Sequence, residues 1–228
     1  MINVSRIEMS RSAFENTGTR LEAEYTGNID KSKYNELAYE HLFGNPADKE
    51  TDPDEKFAKI LSFKEQARIV FEDTLALSDQ DKYINFKNSM KLVEMSQLGD
   101  PENPSRFFAK ALYNSVKEKF VDKYILKFFT ASGGTHLDVK HKIDCFFKLY
   151  NKETKEELSQ ATIDLTSNTN KQTCRADILL YISDEEKNKF DSSSNNTEYD
   201  REFFKTKIDE YATQIAKVIV ENYKNRNQ

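Results

Sequence analysis

Two aspartates in short, strand-like runs are the residues of this chain best suited to chemistry. HKIDCFF holds Asp144 and ATIDLTS holds Asp164, with the polar turn NKETKEE between them. If the two runs pair as an antiparallel hairpin turning at about Thr154, Asp144 falls opposite Asp164, Lys142 opposite Thr166 and Phe146 opposite Thr162. Opposed side chains on one sheet face stand about 5 Å apart. Two carboxylates at that spacing repel each other unless a proton, solvent or a cation relieves them. A shared divalent ion on oxygen ligands is the functional solution, and Mg2+ suits that donor set. The structural alternative is a solvated strand face or a strand-end turn, and a slip of one residue would separate the pair.

The elements that must position these residues follow from apolar spacing. Tyr34, Leu37, Ala38 and Leu42 predict a helix that ends at Gly44-Asn45-Pro46. ADKETDPDE reads as a loop. Phe57, Ile60, Leu61, Ala67, Phe71 and Leu75 predict a second helix, and Tyr83, Phe86, Met90 and Val93 a third. LGDPENPS, with Gly99, Pro101 and Pro104, is the main break, so residues 1–104 form a mainly helical N-terminal region and residues 105–228 the core domain. Beyond it Asn103 can cap a helix with Pro104 in its first turn, buried through Phe107, Phe108, Ala111, Leu112, Val116 and Phe120. YILKFFT is a strand and ASGGT a turn. LDVKHKIDCFFKLY alternates like one long strand, with Leu137, Val139, His141, Ile143, Cys145, Phe147 and Leu149 on one face. LSQATIDLTS and ADILLYI are two further strands, and DSSSNNT is a flexible loop. A C-terminal helix over about 199–223 buries Phe204, Ile208, Tyr211, Ile215, Val218 and Ile219. The fold class this predicts is α/β (α+β).

This order of elements, with HKIDCFF and ATIDLTS on adjacent strands, resembles the PD-(D/E)XK nuclease superfamily. The resemblance covers about residues 105–182 and the closing helix, and leaves residues 1–104 uncovered. It implies a restriction-endonuclease-like central mixed sheet flanked by helices. It also implies that Asp144 and Asp164 hold Mg2+ or Mn2+, and that Glu118 on the preceding helix assists. The family's Lys, two residues after the second acid, helps orient or activate the attacking water. Thr166 stands there in this chain, so Lys142, across the hairpin, is the first candidate to replace it, and Lys171 and Lys148 follow.

Charge bears on the partner. The 228 residues carry 34 Lys+Arg and 39 Asp+Glu, a formal net charge of −5, which on its face disfavours nucleic acid. The sum hides unlike parts. Residues 1–104 are net −7, residues 105–148 net +5 and residues 149–228 net −3. The basic island would guide a polyanion, with Lys140, Lys148, Lys171 and His136 as nucleic-acid contacts. Phe128, Phe129, Phe146 and Phe147 read as core, and His141 as a core histidine. Two cysteines and three histidines at no ligand spacing exclude a disulfide framework and a four-ligand zinc site. Gly133-Gly134 matches neither a P-loop nor a dinucleotide fingerprint.

The expectation is a metal-dependent nuclease acting on DNA ahead of RNA, cytoplasmic, with no membrane partner, and phage- or mobile-element-encoded. Residues 1–104 would serve as a cap, a dimerisation surface or a specificity element, with a homodimer or a protein partner bound through them. The alternative is a non-catalytic structural or regulatory module that keeps the fold, and a third reading is a nucleic-acid mimic built on the acidic N-terminal part.

Overall fold

A computed structural model describes residues 19–73, 83–131, 133–168, 170–171, 174–191 and 198–226. Its centre is set by two apolar strands that are hydrophobic on both faces. β1 (Tyr124–Thr130), β2 (Cys145–Asn151), β3 (Glu157–Thr166) and β4 (Ile178–Tyr181) form one four-stranded mixed sheet in that order. β1–β2 and β2–β3 are antiparallel and β3–β4 is parallel. Alternation sends Cys145, Phe147, Leu149, Ala161, Ile163 and Leu165 to one face. There they pack on α5 (Phe107–Lys117) and α8 (Arg201–Arg226). Phe129 and Phe146 go to the other face. There they meet Tyr34 and Ala38 of α2 (Lys31–Phe43) and Met90, Leu92 and Val93 of α4 (Phe86–Met95). A sheet covered on both sides is apolar in both phases of its period. The protein is therefore α+β, a mixed sheet flanked by helices, and its second core draws residues from both sides of position 104.

Three further helices are the short α1 (Thr19–Thr26) and α7 (Asp184–Phe190) and the 21-residue α3 (Pro53–Asp73). The sequence reading missed α1 and α7. The latter is held by a capping box in which Ser183 and Glu186 bond each other's backbone N–H. Among the described residues no helix is long and apolar enough to cross a membrane.

Several expectations change in detail. Among the described side chains of α3 the buried ones are Phe63 and Ala67, while Phe57 and Leu61 are 63% and 52% exposed; the Phe71 side chain lies outside the described residues. The packing of Tyr39 on Phe63 selects that face. Within ADKETDPDE, Pro46–Lys49 winds as a 3-10 turn and Pro53 opens α3. The helix predicted from Asn103 starts at Phe107. The preceding prolines lie in a turn whose Pro101 carbonyl accepts from Phe128 N–H at 2.9 Å, so this stretch is tied to β1. Leu75 and residues 192–197 of DSSSNNT lie outside the described residues.

The largest departure lies before Asp144. LDVKHKIDCFFKLY is not one strand. His136–Val139 is a single helical turn, α6, capped by Thr135, whose Oγ1 accepts from Asp138 N–H at 3.1 Å. Lys142 follows in the left-handed region at φ 59°, and β2 begins only at Cys145. Leu137 and Ile143 are buried as predicted, but in the core opposite to that of Cys145 and Phe147. Apolar residues two apart also satisfy a short turn, and here a capping threonine outweighs the alternation.

Candidate active site at the open end of the β2–β3 ladder

Asp144 is the residue through which the chain enters β2. Its N–H donates to Ile163 O at 2.9 Å and its carbonyl accepts from Ala131 N–H at 2.7 Å. Its carboxylate takes over where the backbone ladder ends: Oδ2 accepts from Leu165 N–H at 2.6 Å. The register below it is the expected one, Cys145 opposite Ile163 through Leu149 opposite Ser159, before a bulge between Leu149 and Tyr150. Asp144 and Asp164 thus come to neighbouring positions at the end of the ladder, 4% and 2% exposed.

Asp164 lies between β2 and β4, with Leu179 as its parallel partner. The β3–β4 connection brings Lys171 onto it, Nζ standing 2.7 Å from Oδ1 and 2.6 Å from Oδ2. Only the Oδ1 contact has hydrogen-bond geometry. Oδ2 is the single buried side-chain oxygen or nitrogen among the described residues that lacks a hydrogen bond. A parallel crossover normally spends a dozen or more residues and a helix. Here the described part of 167–177 contains none, so the connection stays over the strand ends and Lys171 reaches back. Asp177 anchors its far end, accepting from Thr162 N–H at 2.8 Å and Thr162 Oγ1 at 2.7 Å.

A third carboxylate belongs to this neighbourhood. Asp138 Oδ2 accepts from Gly134 N–H at 3.0 Å and so closes the Gly133-Gly134 turn. Burial pushes its pKa up, and the negative charge of Asp164 adds to that, against the Gly134 N–H and the Lys142 ammonium. The sequence reading placed Asp138 on a strand face and gave it no role. The signal that could have found it is the Thr135-x-x-Asp138 spacing of a helix start. Cys174 also senses the site: burial first, then the Asp164 charge, raises its thiol pKa.

The remaining candidates are placed as follows. Lys142 is off the ladder and exposed. Its N–H donates to Asp138 O at 3.0 Å, so it faces Asp138 rather than Thr166. His136 is 8% exposed, and its N–H donates to Tyr34 Oη at 2.8 Å. The Lys140 carbonyl accepts from Arg175 Nη1 at 2.8 Å, joining the α6 turn to the β3–β4 connection. Lys148 is buried, with its ammonium 2.6 Å from both Glu94 and Glu157. Glu118 caps the C-terminal end of α5 on the opposite face of the sheet. Nearby, Phe120 packs on Tyr124 at the far end of β1, about 20 Å away at the usual rise per residue. The structure therefore brings Asp144, Asp164 and Lys171 together and leaves Glu118 and Lys148 apart from them. His141 is a core histidine, 7% exposed, with Nε2 3.0 Å from Ile84 O.

Apart from Lys140 and Lys142 on the α6 turn, much of the basic island is engaged elsewhere. Lys119 pairs with Asp209 at 2.7 Å, Lys127 with Glu102 at 3.9 Å, and Lys117 and Lys123 lie over Tyr113 and Tyr124. Among the described residues no group of three or more His, Cys, Asp or Glu is placed to hold a metal ion. A metal here would have at most two protein carboxylates, a number that suits Mg2+, which keeps waters and shares substrate phosphates. The donor chemistry fits: Asp164 Oδ2 has no hydrogen bond and faces the Lys171 ammonium at 2.6 Å, a place a metal cation could take. No family model matches this chain, and no curated protein or solved structure matches it.

Proposed function

We propose that this protein is a metal-dependent phosphodiesterase of restriction-endonuclease-like architecture that cleaves nucleic acid, DNA ahead of RNA. The observation that carries the reading is the buried Asp164 Oδ2 without a hydrogen bond, beside a second buried carboxylate and an ammonium group. The order helix, strand, capped turn, hairpin and parallel strand supports it as well.

Asp144 and Asp164 would hold Mg2+ or Mn2+, which supplies a polarised phosphodiester and a water of lowered pKa. The chain's own residues do the rest. The Leu165 N–H fixes the Asp144 carboxylate, so one oxygen is pre-oriented before any substrate arrives. Lys171 replaces the lysine absent at Thr166. Its ammonium holds Asp164 in the substrate-free protein and is placed to meet developing negative charge on a phosphate. Asp144 and Asp164 are 4% and 2% exposed, and this burial strengthens each of these electrostatic contacts.

One observation favours the non-catalytic alternative. Lys171 already compensates Asp164, as it would in a protein that had exchanged a metal for an internal cation. The experiment that separates the two is cleavage of plasmid, linear and single-stranded DNA and of RNA in Mg2+ or Mn2+, beside an Asp144→Asn, Asp164→Asn double variant. Metal-dependent cleavage lost in the variant supports the enzyme. No cleavage of any substrate, or equal cleavage by the variant, leaves the non-catalytic module.

A further inference from the structure

Behind the Gly133-Gly134 turn lies a cavity of about 450 Å3 between that turn, the first turn of α2 and the middle of α3. Its lining holds three cations, Lys31, Lys64 and Arg68, against one carboxylate, Glu36. Lys64 and Arg68 are four residues apart on α3 and so share a face. Lys64 leans on Glu36 at 3.2 Å, and Arg68 on Glu65, outside the cavity, at 2.7 Å. The Lys64 and Arg68 side chains are 51% and 55% exposed, so these pairs are weak and exchangeable. Lys31 forms no ion pair among the described residues. It lies against the turn: a Cβ on Gly133 would stand 3.1 Å from Lys31 Cε and 3.7 Å from its Nζ. Gly133 (φ +100°) and Gly134 (φ +90°) are in the conformation that L side chains rarely adopt, and this lets the lysine approach the backbone.

The turn is shared with the candidate site. Its far side is closed by the Asp138 carboxylate, which feels the charge of Asp164. The Gly133-Gly134 turn thus lines the cavity and also carries the Asp138 carboxylate that senses Asp164. We infer that the cavity is a phosphate-binding subsite for a nucleic-acid strand whose neighbouring phosphate lies at Asp144 and Asp164. The net-acidic N-terminal region supplies the positive charge. The volume falls in the range that takes a small-molecule-sized group, and the cations select a phosphate within it. This subsite rests on the phosphodiesterase reading for its strand, but its binding chemistry does not need the metal.

The test is fluorescence anisotropy of a labelled single-stranded 12-mer with the full chain in EDTA, over a salt series. A Lys31→Gln, Arg68→Gln double variant removes two phosphate contacts. The slope of log affinity against log salt should fall by about 1.4, and affinity at 0.1 M salt by about 25-fold. Glu36→Gln, which frees Lys64, should bind more tightly than wild type. The opposite signs cannot both come from damage to the fold. Unchanged slope and affinity in the double variant, no tightening in Glu36→Gln, or no binding by wild type at low salt would each overturn the subsite. Competition by inorganic phosphate or a mononucleotide at the 12-mer's own concentration would assign the cavity to a free ligand and overturn the strand. Charge-dependent binding by a protein that cleaves nothing leaves the subsite standing and removes the phosphodiesterase.

Discussion

Replacing Lys171 with Ala removes the cation that, among the described residues, pairs with Asp164, whose side chain is 3% exposed. Breaking a buried pair from one side costs about 3–5 kcal/mol, and losing an exposed pair about 0–1 kcal/mol. The Lys171 side chain is 31% exposed, so solvent screens part of the interaction and a loss of about 2 kcal/mol is expected. For a chain of this size that lowers the thermal midpoint by roughly 4–8 °C. Asp164→Asn should cost less, because its stranded partner can turn to water, and Lys171→Ala should cost almost nothing further in that background. Mg2+ then discriminates. If the ion takes the place of the ammonium, Mg2+ at about 100 times its Kd restores about 2.7 kcal/mol to Lys171→Ala and nothing to the variant that also carries Asp164→Asn. Calorimetry or denaturant titration of the four proteins, with and without Mg2+, reads all of these quantities. A Lys171→Ala protein within about 0.5 kcal/mol of wild type, or additive single and double variants, would refute the argument that Lys171 compensates a buried charge.

Three further outcomes follow from the same geometry. Asp144→Ala leaves Leu165 N–H without its acceptor and should cost about 1–3 kcal/mol by denaturant titration, while Asp144→Asn, which keeps an acceptor, should cost clearly less. Asp138 has a raised pKa, so the folded state holds its proton more strongly than the unfolded chain does. Its contribution to stability is fully present below the unfolded value of 3.8 and is lost as pH rises through the folded value. Asp138→Asn should therefore gain on wild type as the pH is raised from acid toward neutral, and a gain that runs the other way would contradict the burial. Lys148→Met should destabilise by about 2 kcal/mol, because it strands Glu94 and leaves Glu157 with Arg226 alone. It should also leave 12-mer affinity in EDTA unchanged, and a fall in that affinity would return Lys148 to the nucleic-acid surface.

The hairpin was legible because a period of two and a polar turn specify register, and the expected partners recur from Cys145 to Leu149. The C-terminal stripe was legible for the same reason at a period of 3.6: Phe204, Ile208, Tyr211, Ile215 and Ile219 are all buried. Residues 136–143 were misread because their alternation is local, whereas the capping by Thr135 and the left-handed Lys142 depend on where the chain must go next. The charge partition was arithmetically sound but spatially misleading. Glu94 and Glu157 absorb Lys148, and the cations that line the cavity beside the Gly133-Gly134 turn come from the acidic segment.

By itself, then, the sequence determined the strand segments from Cys145 onward, the β2–β3 register between Cys145 and Leu149, and with it the neighbouring positions of Asp144 and Asp164, since these follow from periodicity over a few residues. Tertiary structure alone decided the cations. Lys171 meets Asp164 because the helix-free β3–β4 connection returns over the strand ends. Lys148 is withdrawn between Glu94 and Glu157, and Lys31 reaches the turn because Gly133 has no Cβ in its way. Long flexible side chains take their partners from whatever surface folding brings near, and spacing along the chain does not encode that surface.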